Sequence, residues 1–209
     1  MRYSIFFTAV LTLALIGCGG EPGQHPANRD ISIDSSAVVS EGQMISQAAF
    51  KTLSSNLQQA MAEGGVENAL RFCNIEAMPL TDSLSTHFDI ELRRASHRPR
   101  NPSNRADSLE LQTIQQYLSE IEAGRDLKPV IYTSGSTISY HAPIRIAGPL
   151  CLNCHGQPAT DIAKPDLQVI RELYPEDEAT GFSLGELRGI WSIRFPADYF
   201  DAEPQVDEE

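Results

Sequence analysis

Apolar positions recur at helical spacing in the first half of the chain and alternate with polar ones in the second. Over residues 41–63, Ile45, Ala48, Ala49, Leu53, Leu57, Ala60 and Met61 form a stripe of helical period. Gly64 and Gly65 end that run. Val66, Ala69, Leu70, Cys73 and Ala77 then carry one face of a second helix over 66–77. Pro79 breaks it, and Thr81 or Asp82 is placed to cap a further short segment reaching about His87. Residues 89–96 read as a strand. Leu109, Ile114, Tyr117, Leu118 and Ile121 predict a third helix over 106–123, closed by Gly124. From Pro129 the period becomes two. Strands are predicted at 130–133 and 137–146, joined by a hairpin loop at Ser134-Gly135-Ser136. A short helix is expected at 165–174 and a closing strand at 187–195, where Ile190 interrupts the alternation and points to burial on both faces. Helices followed by antiparallel strands predict an α+β fold in a single domain over 41–200.

The two ends of the chain read differently. Arg2 precedes an apolar run over 5–16, too short to cross a bilayer but suited to a signal peptide. It ends in Leu15-Ile16-Gly17-Cys18, which resembles a bacterial lipobox. The expectation is a signal peptide over 1–17 and lipid attachment at Cys18, with an ordinary secretory signal as the alternative. Residues 18–40 hold Pro22, Gly23 and Pro26 with little periodicity and are expected to be a flexible tether. Residues 201–209 are expected to be a disordered acidic tail. The protein is thus expected on the periplasmic side of a membrane or at the cell surface, its membrane contact made by the lipid. The formal net charge of −12 argues against nucleic acid as a partner.

Export changes the meaning of the cysteines. Cys151-Leu152-Asn153-Cys154-His155 is a CxxCH, the pattern of covalent haem c attachment. Two thiols one helical turn apart can each form a thioether to one haem vinyl group. The His lies four residues past the first Cys, hence on the same helical face, and is placed to be an axial ligand. Zinc, a thioredoxin-like pair and a plain disulfide are the other uses of CxxC. The chain has no second CxxC and no H-x₃₋₅-H, and export does not suit the thioredoxin context. One covalent haem is the expectation.

Cys73 remains without a role. On the inward helical face it is either a small buried hydrophobe or, as thiolate, an iron ligand. His141 is a rival ligand, although its register, opposite to the apolar positions of its strand, favours the surface. Met44 and Met61 are expected in the core. Trp191 is expected either in the core or against the haem edge. Arg93, Arg94, Arg98, Arg100 and Arg105 crowd one stretch of an acidic chain. They form either a solvated basic loop or a collar for haem propionates, with Arg94, Arg100 and Asn101 the candidates. No second cofactor motif or nucleophile–base pair suggests an enzyme.

Read together, these motifs resemble a known family. Phe72-Cys73-Asn74, Arg93-Arg94-Ala95-Ser96, Arg100-Asn101-Pro102-Ser103-Asn104, the CxxCH with Gly156, and Gly181-Phe182-Ser183-Leu184-Gly185-Glu186-Leu187-Arg188-Gly189 occur in its order. The family is the Tll-like haem-binding family, PAS-like c-haem domains of bacterial exported sensors. The resemblance implies a PAS-like sheet flanked by helices and one c-type haem. It also implies Cys73 as axial ligand opposite His155. In many members the domain is the sensory part of a histidine kinase or chemoreceptor. This sequence shows neither a transmembrane helix nor an output domain. The expected function is a redox or small-ligand sensor with a redox or signalling protein as partner. A periplasmic electron-transfer cytochrome is the alternative, and a non-haem lipoprotein with a Cys151–Cys154 disulfide is a third reading.

Overall fold

The computed structural model describes residues 35–201, apart from 136 and 197. The expected signal peptide, Cys18, most of the tether and residues 202–209 lie outside the described residues. Helix α1 (Ser35–Phe88) bends at Gly64 and Gly65, where the backbone leaves helical geometry. The bend divides α1 into two limbs, and the Asn68 side chain crosses it to donate to Ala60 O at 2.8 Å.

Two expectations about α1 are corrected. The helix starts within the expected tether, because Val38 is wholly buried and gives the first turn a packing contact. It also runs through Pro79. Proline removes one backbone donor and exposes the carbonyl four residues back. Here that carbonyl belongs to Ile75, which is 66% exposed, so water can satisfy it.

Four strands follow, β1 (Glu91–Ala95), β2 (Val130–Ser134), β3 (Thr137–Arg145) and β4 (Leu187–Pro196). They form one antiparallel sheet in the order β1-β4-β3-β2. The first limb of α1 covers one face, packing Val38, Ile45 and Ala49 on Tyr140, Trp191, Ile193 and Phe195. Each large side chain so buried contributes about 1.5–3 kcal/mol. Trp191 is thus a core residue, whereas Met44, expected in the core, is 43% exposed. Gly42 is required where the helix crosses Tyr140, since a Cβ there would lie 2.5 Å from the ring.

Helix α2 (Ser108–Glu122) covers the other face, with Ile114 and Tyr117 against Ala95 and Ile190. This explains the interrupted alternation at Ile190. A reciprocal cap starts α2: Glu110 N donates to Asp107 Oδ1 at 2.9 Å, and Asp107 N donates to Glu110 Oε2 at 2.8 Å. Helices α3 (Pro149–His155) and α4 (Lys164–Leu173) fill the crossover from β3 to β4. The fold is α+β and PAS-like, as expected from the sequence. Among the described residues no helix is long and apolar enough to cross a membrane.

Candidate functional site

The CxxCH stretch is α3 itself. Gly148 precedes it and Pro149 opens it, the position where a missing N–H costs nothing. Cys151 and Leu152 pack on Ile146, Ala179 and Phe182. Cys154 packs on the opposite side, against Leu70, Ile162 and Ile170. Gly156 ends the helix, its N–H donating to Leu152 O at 2.9 Å. A Cβ at Gly156 would lie 2.5 Å from Asp161 Cβ and 2.7 Å from Leu152 O, so the turn closes only around glycine.

Residues 177–182 form a strap along α3. Phe182 N donates to His155 O at 2.9 Å and Gly181 N to Gly156 O at 2.8 Å. His155 Nδ1 lies 2.8 Å from Ala179 O. A carbonyl only accepts, so Nδ1 carries the hydrogen and Nε2 keeps its lone pair. Such a bond through the other ring nitrogen is what orients a metal-binding histidine. Two arginines hold the strap. Arg100 donates to Asp177 Oδ1 at 2.9 Å, and its Nη2 donates to Cys154 O at 2.6 Å. Arg98 donates to Glu178 O at 3.2 Å and to Thr180 O, and its guanidinium stacks 3.9 Å from the Phe182 ring centre.

Beneath α3 lies a cavity of about 270 Å³. Cys73 reaches it from the second limb of α1, and Cys151, Cys154 and His155 from α3. Arg94, Arg100, Asn101 and Arg188 also line it, and the rest of its wall is mostly apolar, including Leu57, Met61, Ile144 and Leu150. All the expected site residues within the described range therefore meet in one cavity. His141 does not. It is fully buried on the other face of the sheet, so the surface expectation is corrected.

The basic stretch is neither a solvated loop nor a uniform collar. Arg93 faces α2, 3.7 Å from Glu110. Arg105 pairs with Glu178 at the surface. Asn101 accepts from Ser103 N at 3.0 Å and so caps the short turn Pro102–Asn104. Arg94 and Arg188 are the cations left to the cavity. Among the described residues no carboxylate lies within ion-pair distance of either. Arg188 Nη1 donates to Ser96 Oγ and Arg98 O, but its Nε is buried without a partner.

The titrating groups register this environment. Burial, then the charges of Arg100 and Arg94, push Arg188 down to about 9. Burial, and then Arg188 and Arg100, hold His155 well below the ordinary imidazole range. Burial pushes the Cys154 thiol up to about 11. Burial also raises the Cys73 thiol, against the opposing pull of Arg94 and Arg100. Arg100 is neutralised by Asp177, and among the described residues the charges of Arg94 and Arg188 have no carboxylate partner.

Sequence reasoning did not assign Arg188, Asp177, Ala179 or Phe182 to the site. Arg188 and Phe182 lie in the Gly181–Gly189 stretch that carried the family resemblance, but no spacing rule connects them to α3.

Fold and cavity together define a PAS-like α+β domain with a cavity of thiols, one imidazole and unpaired arginines. The chain belongs to the Tll0287-like family, whose family model matches residues 29–196. The crystal structure of the cyanobacterial heme-protein Tll0287 superposes with a TM-score of 0.53 at 22% identity, covering 81% of this chain and 98% of that chain. No curated protein matches the chain.

Proposed function

We propose that the chain is a haem-binding protein carrying one haem covalently at Cys151 and Cys154, with His155 and Cys73 as axial ligands. The observation that carries this reading is the convergence of all four side chains on one cavity with Arg94 and Arg188. The donor set fits the group. A haem is apolar over most of its surface and ends in two carboxylates. The apolar wall suits the first property. The bare Arg188 Nε and the unpaired Arg94 suit the second. The structural relative, a cyanobacterial heme-protein, points the same way.

When bound, the haem supplies a one-electron couple and an iron centre at which small ligands can compete. The chain's own residues do the rest. Ala179 O fixes the His155 tautomer so that Nε2 keeps the lone pair a ligand needs. Burial favours the Cys73 thiol, and Arg94 and Arg100 pull the other way, toward the thiolate. This suits a redox or small-ligand sensor in which Cys73 gives way. The lipobox-like Cys18 supports export and lipid anchoring, and the sensor's partner would be a redox or signalling protein.

The test compares wild type with Cys73→Ala after export and haem loading, by haem staining and by electronic and electron paramagnetic resonance spectra. A low-spin ferric spectrum with thiolate character that disappears in the variant is expected. Haem lost from denatured Cys151→Ala/Cys154→Ala protein, but retained by denatured wild type, establishes the covalent link. An unchanged spectrum in Cys73→Ala would sink the ligand assignment. Indifference of wild type to carbon monoxide and nitric oxide would favour electron transfer instead.

A further inference from the structure

A second polar cluster lies behind the sheet and takes no part in the cavity. His141 and Ser192 are direct cross-strand partners on β3 and β4, and Arg93 faces Ser192 from β1. Cross-strand partners share a face, and this face meets α2, where Glu110 and Thr113 are one turn apart. Glu110, Thr113 and His141 are wholly buried, and Ser192 is 1% exposed. Among the described residues, three of their polar atoms have no partner: Glu110 Oε1, His141 Nε2 and Ser192 Oγ. Leaving one such atom bare costs its full desolvation; three on one covered face point to a missing hydrogen-bonding partner.

We propose that Glu110, His141, Thr113 and Ser192 form a buried proton-binding site, completed by one bound water, whose occupancy follows the charge in the cavity. A buried water makes about three hydrogen bonds, and the three bare atoms supply that number. His141 Nε2–H donates to the water, which donates to Glu110 Oε1 and Ser192 Oγ.

Thr113 allows the imidazole to hold either protonation state. Its Oγ1 is 2.7 Å from His141 Nδ1 and 3.3 Å from both Leu109 O and Tyr132 Oη. With His141 neutral, the hydroxyl donates to Nδ1. When a proton from solvent binds Nδ1, the new N–H donates to Thr113 Oγ1, and the hydroxyl turns to Leu109 O or Tyr132 Oη. One N–H bond forms, and one hydroxyl rotates.

The charges around the ring come from every neighbouring element. Glu110 and Asp107, at the start of α2, favour the cation; burial, the larger influence, and Arg194 of β4 oppose it. Arg93 of β1 faces Glu110. Tyr132 of β2 lies with its ring centre 5.7 Å from the imidazole. Tyr117 of α2 donates to His141 O at 3.0 Å. The link to the cavity runs through adjacent residues of β1. Arg93 faces Glu110, and Arg94 lines the cavity. A negative charge added in the cavity is then separated from His141 by one sheet, in a low-dielectric interior. This coupling rests on the haem reading. If a haem held in the cavity were reduced by an external one-electron donor, one proton from solvent would bind Nδ1.

The test uses haem-loaded protein with ¹⁵N-labelled histidine, oxidised and then reduced with dithionite, at a series of mildly acidic pH values. His141 is expected to titrate, at a higher pH in the reduced protein. Glu110→Gln, which keeps a capping side chain, is expected to move that titration to lower pH. The reduction potential of wild type should fall as pH rises, and His141→Gln should weaken that dependence. A ring that stays neutral in both redox states throughout the folded range overturns the proposal, as does Glu110→Gln without a shift. If the chain carries no haem, the haem reading fails. The same titration on the haem-free protein, with and without Glu110→Gln, still decides the proton site.

Discussion

His155 has two ring nitrogens and one is already committed, which is why its surroundings matter more than its identity. Its Nδ1 is held by Ala179 O, and Ala179 is held in turn because its own N–H donates to Asp177 Oδ1 at 3.0 Å. Asp177 also pairs with Arg100, both side chains being about nine-tenths buried. Asp177→Asn leaves the Arg100 charge buried and unpaired, a loss of about 3–5 kcal/mol for a pair of this kind. Chemical denaturation is expected to show that loss, and the His155 ring should lose its ordered orientation by NMR. Gly156→Ala acts differently. Its backbone φ of −73° suits alanine, so only the clash with Asp161 and Leu152 counts. We expect destabilisation of about 1–3 kcal/mol, partly relieved by Asp161→Gly in the double variant. Cys151, Cys154 and His155 were legible in sequence because their chemistry is written in adjacent positions. Asp177 and Arg188 were not, because only the folded chain brings residues 100, 154 and 177 together.

Helix α1 is read from its period, and where the reading failed the cause is local. One buried side chain, Val38, holds the helical turn ahead of Glu41, and one residue has no periodicity. Pro79 read as a break because proline costs about 3 kcal/mol in a helix interior, yet the exposed side of α1 tolerates it. Pro79→Ala restores a backbone donor to Ile75 O at a solvent-facing position. It is expected to stabilise the domain by about 1–3 kcal/mol, visible as a higher denaturation midpoint at unchanged slope. The strands were legible because β3 alternates clearly and β4 does so except at Ile190. His141 was misread for the same reason. Alternation separates apolar from polar residues, but it does not say that the polar face is wet. Here α2 covers that face, and Thr113 and the capping pair meet part of the cost of burying it.

The whole domain carries this burial as a dependence of its stability on pH. His97, His141 and His155 are all held below the ordinary imidazole value of 6.5, in each case mainly by burial. Above 6.5 these rings are neutral in the folded and unfolded chain alike, and the full stability is present. As pH falls below 6.5 the unfolded chain binds protons that the folded chain refuses, so stability is lost until the folded values are reached. Haem-free protein is therefore expected to show a falling unfolding free energy on acidification from 6.5. The loss should be smaller in His141→Gln, which has no such ring to charge. Haem-loaded protein should lose more than haem-free protein over the same range, because an iron-bound His155 and a Cys73 thiolate held on iron both refuse protons that the unfolded chain binds. Denaturant titrations of the two forms at matched pH values check the order. Equal acid sensitivity of both forms would count against Cys73 as a thiolate ligand, while an unchanged loss in His141→Gln would place the acid-labile group elsewhere than behind the sheet.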